Sequence, residues 1–412
     1  MAKRVCIIGA GAAGLMAAKY ALDGGADVTV LEKNEKAGKK IYITGKGRCN
    51  VTNACDKEDL MKNLVRNPRF LYASLATLDN QGIMELFEAL GVKLKVERGQ
   101  RVFPESDHAS DITNALESHV RRKGAKICFN TPVTGLIIED GEVKGVSTQR
   151  GTMRFDAVIL ATGGMSYPST GSTGEGHAFL KEAGHSISPC RPALTPVETE
   201  ESWPADLMGL TLKNVELTAY TNKNGKKKKL YNELGEMLFT HFGVSGPLVL
   251  TLSSLLPEDY RGTELFIDLK PALDEQTLDN RMLREFASMP NKQLVSVMDT
   301  LEPHALGEKV CELAGVSPYK SVNSVTAAER RAIVTMLKGI PLTVKSLRGM
   351  NEAIITRGGV NVKEINPSTM ESKLIKNLYA AGELLDADAL TGGFNLTIAF
   401  ATGALAGKSA AE

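Results

Sequence analysis

The sequence predicts an α/β protein in which a discontinuous Rossmann-like domain is interrupted by a β-barrel-like domain and a small helical domain. Three observations predict it. The apolar run Val5-Cys6-Ile7-Ile8 enters Gly9-Ala10-Gly11-Ala12-Ala13-Gly14, a strand, glycine turn and helix. A second apolar strand, Asp27 to Leu31, ends in Glu32, at the distance where a carboxylate meets a ribose 2′-OH. The last forty or so residues return to the same vocabulary, with strand Asn377 to Ala381, then Gly382-Glu383, then Gly392-Gly393-Phe394 opening an Ala/Gly-rich helix.

The first turn is a cradle for a dinucleotide pyrophosphate: Gly9 permits the turn, Gly11 the approach of a phosphate, and Gly14 close packing of helix on strand. Lys3-Arg4 before an apolar run also resembles the start of a secretory signal. Three glycines at nucleotide-binding spacing argue against that reading, and a cytoplasmic protein is expected. With 49 basic and 48 acidic residues, no global field favours nucleic acid or an anionic membrane. The expected partner is therefore a small-molecule substrate, with no nucleic acid and no membrane, and no oligomeric state is assigned. The six cysteines form no C-x-x-C and no zinc-like pattern with the histidines, so reduced thiols and no metal are expected.

Gly38 to Asn53 follows Glu32 as a long polar loop, with Gly45 and Gly47 able to bring main chain against a flat polar ligand. Helices are predicted at Asn80 to Leu90 and at Asp111 to Arg122, the latter capped by Ser110, with a short extended piece at Arg98 to Pro104 between them. Strands follow at 125–129, 133–139, 143–148 and 153–160, with Asp140-Gly141 as a hairpin turn. The last strand delivers Ala161-Thr162-Gly163-Gly164 and a second glycine-rich run reaching His177.

From Pro189 the character changes, and strand Thr211 to Thr221, turn Asn224-Gly225 and Lys226 to Lys229 mark a β domain. The lysine run could meet a phosphate or an acidic partner, but it reads best as a solvated strand edge. Residues 274–338 carry helical spacing, and Pro341 ends them. Strands at 342–347 and 352–356 lead back to Arg357-Gly358-Gly359-Val360. The predicted domains are thus 1–190 with 357–412, 191–270 with 340–356, and 271–339. The uncharged stretch 389–407 is long enough to consider as a membrane span, but its threonines, glycines and Asn395 favour a buried helix.

Gly45-Lys46-Gly47-Arg48-Cys49-Asn50-Val51-Thr52-Asn53, Thr240-His241-Phe242-Gly243-Val244-Ser245-Gly246-Pro247, and Gly382-Glu383 through Asn395-Leu396 together resemble the FAD-binding flavoproteins of the glutathione-reductase-like fold. More closely, they resemble the aminoacetone-oxidase-like or BaiN-like subgroup, which includes a reductase of dehydro-bile acids. The resemblance implies an FAD-binding domain holding FAD non-covalently. Gly9, Gly11, Ala13, Gly14, Glu32, Lys33 and Val133 would serve it, the first glycine turn and Glu32 holding the ADP half. Lys40, Thr44, Gly45, Arg48, Cys49 and Asn50 would lie along the ribityl chain and ring, and Thr162 and Gly163 near the adenosine. Asp386 would meet the middle of the cofactor, and Gly393, Phe394, Asn395 and Leu396 the pyrimidine end, where the positive end of the last helix would favour reduced flavin.

The leading function is reduction of a C=C bond conjugated to a carbonyl, hydride passing from flavin N5 to the β-carbon, with a steroid or bile-acid-like enone as the specific expectation. The alternative is an amine oxidase using oxygen. A flavin-containing nucleic-acid-binding protein is a third reading, which the neutral charge disfavours. No second complete nucleotide unit is present, so NAD(P)H is expected to visit one flavin face transiently. His241, Tyr167 and Arg48 are the candidates for the acid or polarising group, His241 being equally readable as a structural histidine. Cys49 reads as a packed loop residue, with a thiolate or a covalent flavin link as the alternatives and Arg48 next door able to lower its pKa.

Overall fold

The computed structural model describes residues 2–223 and 226–412. The predicted turn at Asn224-Gly225 lies outside the described residues. The chain divides into two compact units, one of residues 1–193 and 349–412, the other of residues 194–348.

The first unit is built on a five-stranded parallel sheet in the order Leu378–Ala380, Ala157–Leu160, Arg4–Ile8, Asp27–Leu31, Lys126–Cys128. Its central strand is buried beyond Arg4, as a strand covered on both faces must be, and this explains the unbroken run Val5 to Ile8. Leu378–Ala380 supplies an edge of the same sheet, so the chain's last segment completes a domain begun by its first. The closing helix, Phe394–Ala411, is buried almost all round. It lies against the first helix, Ala12–Asp23, through Gly403 and Gly407. A methyl group on either glycine would run into the carbonyl oxygen of Ala13 or Ala17. Small residues are therefore what lets the two helices meet backbone to backbone, and the same stretch explains why 389–407 lacks charge. Among the described residues, no helix is long and apolar enough to cross a membrane.

Three smaller sheets complete this unit. Val133–Glu139, Glu142–Thr148 and Gly151–Arg154 form a meander. The segment expected as one strand at 153–160 is two, because Phe155 and Asp156 break the run and send Ala157–Leu160 into the parallel sheet. Thr52–Asn53, Arg101–Pro104 and Leu94–Glu97 form a second sheet. Ile187–Ala193 pairs with Ile355–Val360, so the strand expected at 352–356 begins at Ile355 and runs on through Arg357-Gly358-Gly359-Val360. The helix expected from Asp111 runs Ala109–Arg122 with His108 at its N-cap, which places Ser110 inside the first turn. The long loop after Gly38 carries a short helix, Lys39–Ile43, and a tight turn, Thr44–Gly47.

The second unit is a closed antiparallel barrel in the order Val197–Thr199, Gly243–Ser245, Lys226–Thr240, Thr211–Lys223, Glu264–Asp268, Ile340–Leu347. Helices Glu275–Ser288, Leu294–Met298, His304–Leu313 and Ala327–Lys338 follow. Their apolar faces, among them Leu278, Met282, Val310, Ile333 and Leu337, belong to the same hydrophobic cluster as the barrel's Leu217, Phe239, Ile267 and Val344. Barrel and helices thus share one core, where the sequence reading divided them at residue 271. The last of these helices starts on a capping box, Thr326 with Glu329.

Candidate cofactor-binding site

The first glycine turn places each glycine as its chemistry requires. Gly9 has φ of +104° and donates its N–H to Leu31 O at 2.8 Å, turning the chain over the end of the neighbouring strand. A side chain on Gly14 would collide with the Gly9 carbonyl, which fixes how closely helix meets turn. Gly11 differs from both: it is the N-cap of Ala12–Asp23, no side chain caps that terminus, and nothing lies within 4 Å of where its Cβ would be. The open space sits where unpaired helix N–H groups concentrate positive potential.

Glu32 is only 7% exposed. Its carboxylate accepts from Ala10 N–H at 2.8 Å on one oxygen, and from the Asn34 backbone at 2.8 Å and side chain at 2.7 Å on the other. It therefore braces the glycine turn as well as facing the place where a ribose is expected. The oxygen that takes Ala10 N–H retains a lone pair beside that bond, whereas the other already accepts two. Lys33 turns away to Thr173 at 2.7 Å and Glu175 at 2.9 Å, and Val133 is buried at the start of its strand. Ala13 is buried against the closing helix. Gly163 holds φ of +75°, and the Thr162 hydroxyl is buried without a hydrogen-bond partner among the described residues.

The loop between Thr44 and Asn50 is shaped by consecutive left-handed residues, Gly45 at φ +56° and Lys46 at φ +59°, with Cys49 at φ +59° beyond them. Thr44 closes the preceding helix by donating to Ile41 O at 2.7 Å. Arg48 is engaged by protein carboxylates: its Nε donates to Asp107 at 2.7 Å, its terminal nitrogen to Glu97, and its guanidinium lies 4.2 Å from the Phe103 ring centroid. Glu97 and Asp107 raise its pKa above the ordinary value, so Arg48 anchors the loop and does not give up a proton. Cys49 is fully buried, and burial pushes its thiol up to about 12. The packed-residue reading of Cys49 holds, and lowering of its pKa by Arg48 does not occur. All six cysteines are free.

Asn50 reaches the other end of the chain. Its amide nitrogen donates to Thr52 O at 3.0 Å and Val102 O at 3.2 Å, and its oxygen accepts from Gly393 N–H at 3.0 Å, the orientation that satisfies both ends. Thr52 and Thr397 share a 2.8 Å hydroxyl contact, and Asn53 donates to Gly392 O at 3.0 Å. The N-terminus of Phe394–Ala411 is in this way tied to residues 50–53. The Asn395 side chain clamps the preceding loop, accepting from Ala389 N–H at 3.0 Å and donating to Ala389 O at 2.8 Å. Phe394 is buried and Leu396 is half-buried.

Two carboxylate centres join distant segments. Lys40 pairs with Glu383 at 2.6 Å and also donates to Ser166, while Glu383 accepts from Ser166 Oγ at 2.9 Å and Thr356 N–H at 2.7 Å. Burial pushes the Glu383 carboxyl up, but the Lys40 ammonium and the Thr356 bonds hold it below its ordinary range. Asp386 takes Arg66 in a bidentate pair, 2.7 and 2.8 Å, and a 3.0 Å bond from Ser188. Two residues on, Asp388 is 2% exposed and neither carboxylate oxygen has a hydrogen-bond partner among the described residues. Burial raises its pKa to about 6 against the pull of Arg357 and Arg66. Glu383 was visible in the Gly382-Glu383 signature. Ser166, Thr356, Arg66 and Asp388 carried no local signal.

Tyr167 has φ of +51° and its N–H donates to Met350 O at 2.9 Å. His241 belongs to the other unit, exposed in the turn between Lys226–Thr240 and Gly243–Ser245, its ring edge-on to Phe242 at 4.9 Å. Among the described residues, no group of three or more His, Cys, Asp or Glu side chains is placed to hold a metal.

An adenine dinucleotide fits the chemistry of the first turn: no room for a side chain at Gly9 or Gly14, an uncapped helix terminus opening on space at Gly11, and a buried carboxylate beyond the second strand. The family model for the HI0933-like protein Rossmann domain matches residues 3–409. The 3-dehydro-bile acid delta(4,6)-reductase of Clostridium scindens is 32% identical over 416 residues, covering 99% of each chain. Ribosomal RNA dihydrouridine synthase of Haemophilus influenzae is 32% identical over 404 residues, 96% of this chain and 95% of that one. Among solved structures, 3-ketosteroid delta1-dehydrogenase from Sterolibacterium denitrificans superposes with a TM-score of 0.53 at 15% identity over 99% of both chains, a likeness of fold.

Proposed function

The chain belongs to the HI0933-like family of FAD-dependent Rossmann proteins, and on that premise we propose that it reduces a carbon–carbon double bond conjugated to a carbonyl. The observation that carries the reading is that two relatives matched over nearly the whole chain are named for the same bond change. A 3-dehydro-bile acid delta(4,6)-reductase saturates a double bond in conjugation with a ketone, and a dihydrouridine synthase saturates the C5–C6 bond of uracil beside its C4 carbonyl.

FAD, when bound, supplies the hydride through its N5. The chain's own residues do the rest. Gly9, Gly11 and Gly14 admit the pyrophosphate, and Glu32 holds the turn and receives the ribose. Lys40, held by Glu383 and Ser166, would lie along the ribityl chain and ring. Asn50 orients the N-terminus of the last helix, whose dipole favours negative charge on the reduced ring. Arg48 keeps the 44–50 loop in place through Glu97, Asp107 and Phe103. Tyr167 is the side chain proposed to deliver the proton to the α-carbon. A steroid-like dienone is the small-molecule substrate class, and NADH or NADPH the transient donor.

The test is anaerobic reduction of the FAD-loaded protein with NADH or NADPH, followed by stopped-flow reoxidation. An enone should reoxidise the flavin faster than oxygen does, with ping-pong steady-state kinetics. If oxygen is faster than every enone tried and an amine reduces the flavin, the oxidase reading replaces this one.

A further inference from the structure

Asp388 lies in the closing segment, between Asp386 and Gly392. It alone among the described carboxylates has both oxygens buried with no hydrogen-bond partner. The main chain around it is fixed. Its carbonyl accepts from Val65 N–H at 2.8 Å and Arg66 N–H at 3.2 Å, and Asn395 holds both the N–H and the carbonyl of Ala389. With 2% of the residue exposed, the carboxylate is placed to act through its charge and not through contact.

The charged and titratable groups around it come from several elements of the first unit. Arg66, on the segment that pins the Asp388 carbonyl, is taken by Asp386 in the bidentate pair. Arg357 stands opposite Arg191 where Ile355–Val360 pairs with Ile187–Ala193. Asp386 and Glu383 belong to the closing segment itself, and Lys40 is paired with Glu383. His177, from helix Glu175–Glu182, meets Leu384 O through Nε2 at 3.2 Å, and burial lowers its pKa. Burial pushes the Cys190 thiol up to about 11. Burial likewise holds a proton on Asp388, Arg357 and Arg66 draw it off, and Asp386 and Glu383 favour it, with the balance at about 6. A group balanced there changes state when one more charge arrives nearby.

Asp386 is the residue expected at the middle of the cofactor, and two residues of chain span at most about 7 Å. One added negative charge within about 10 Å raises a carboxylate's affinity for a proton about tenfold at an effective dielectric of about 20. We propose that Asp388 takes up a proton from solvent when the flavin is reduced and returns it on reoxidation. Hydride from NADH or NADPH carries two electrons and one proton to the flavin and leaves one negative charge on the ring. Asp388 passes from carboxylate to carboxylic acid with one further proton from water. When the hydride moves on to an acceptor the ring charge is gone, and Asp388 gives that proton back. The cofactor's position at Asp386 is the premise, and the identity of the acceptor is not.

The test is spectroelectrochemical titration of the FAD-loaded full chain, wild type and Asp388→Asn, from about pH 5 to about pH 9. A tenfold change in proton affinity between the two oxidation states amounts to about half a proton more per flavin in wild type between about pH 6 and 7. The two potentials should agree below about pH 6, where Asp388 is protonated in both states. By about pH 8 the variant should lie about 30 mV higher, the same tenfold expressed for a two-electron couple. Two readouts need wild type alone, should the variant fail to fold. Anaerobic photoreduction in lightly buffered solution with a pH indicator should count more protons per flavin near pH 6.5 than at pH 9. The reduced-minus-oxidised infrared difference spectrum should gain a carboxylic acid carbonyl band, which Asp388→Asn lacks. Parallel pH profiles in the two proteins, a proton count that does not change with pH, or the absence of that band overturns the proposal. If the extra proton is found but no enone reoxidises the flavin, the proton site stands and the reductase reading falls. Enone reduction with parallel profiles has the opposite meaning.

Discussion

Two glycine turns lead the chain into a buried helix, one near each end of the sequence, and the two helix termini are satisfied differently. At the first, Gly11 caps Ala12–Asp23 with no side chain against the terminus and open space beyond it. At the second, Gly393 caps Phe394–Ala411, its N–H is taken by Asn50, and its missing side chain makes way for the Thr52 carbonyl. The first terminus opens on space, and at the second the Gly393 N–H is taken by protein from a loop more than three hundred residues away. The carboxylates differ likewise. Glu32 beside the first turn is hydrogen-bonded through both oxygens, whereas the loop leading to the second holds Asp386 in a bidentate pair and Asp388 with no hydrogen-bond partner among the described residues. A glycine before a helix marks a close approach, and only its surroundings tell whether the neighbour is a ligand or the chain itself.

The contrast is sharpest within the first turn. Gly14→Ala should lose the folded flavoprotein, because the new methyl meets main chain that cannot move, at a cost of about 4 kcal/mol or more. Gly11→Ala should keep the wild-type melting temperature of the cofactor-free protein and lose FAD affinity, since only a ligand would occupy that space. Thermal melts with and without added FAD separate the two. A Gly11→Ala protein that binds FAD normally would remove the argument for an open phosphate site.

The next effect in size tests the second turn through pH. Asp388 has a folded pKa of about 6, above the ordinary 3.8. The folded state therefore holds this proton more tightly than the unfolded state. The associated stability is full below about pH 4, falls as pH rises toward 6, and stays lost above it, about 3 kcal/mol in all. Urea unfolding across pH 4 to 7 should show that decline in wild type and a flatter profile in Asp388→Asn. A variant profile with the wild-type slope would mean that Asp388 has a partner in solution.

The smallest effect belongs to Glu32. Glu32→Ala removes the carboxylate that braces Ala10 and Asn34 and is expected to receive the ribose. One charged hydrogen bond, ~1.5–3 kcal/mol less what water restores, should raise the FAD dissociation constant about tenfold. Fluorescence titration of the stripped protein with FAD measures it. An unchanged constant would leave Glu32 as a brace alone.

The sequence by itself determined the parts whose cause is local. The strand-turn-helix at Gly9 to Gly14 is dictated by sterics within six residues, and the parallel sheet by apolar runs of strand length. The return of the chain's end into that sheet was legible because its strand and glycine turn repeat the vocabulary of the start. The tertiary structure alone decided the pairs that no local pattern carries: Lys40 with Glu383, 343 residues apart, Arg66 with Asp386, 320 apart, and Asn50 with Gly393. It also decided that Arg48 is paired to two carboxylates, that Cys49 is fully buried, and that barrel and helices share one core. Periodicity and spacing report what a residue's neighbours in sequence require of it. Burial, charge pairing and the pKa shifts they cause are set by neighbours in space, and those exist only once the chain has closed on itself.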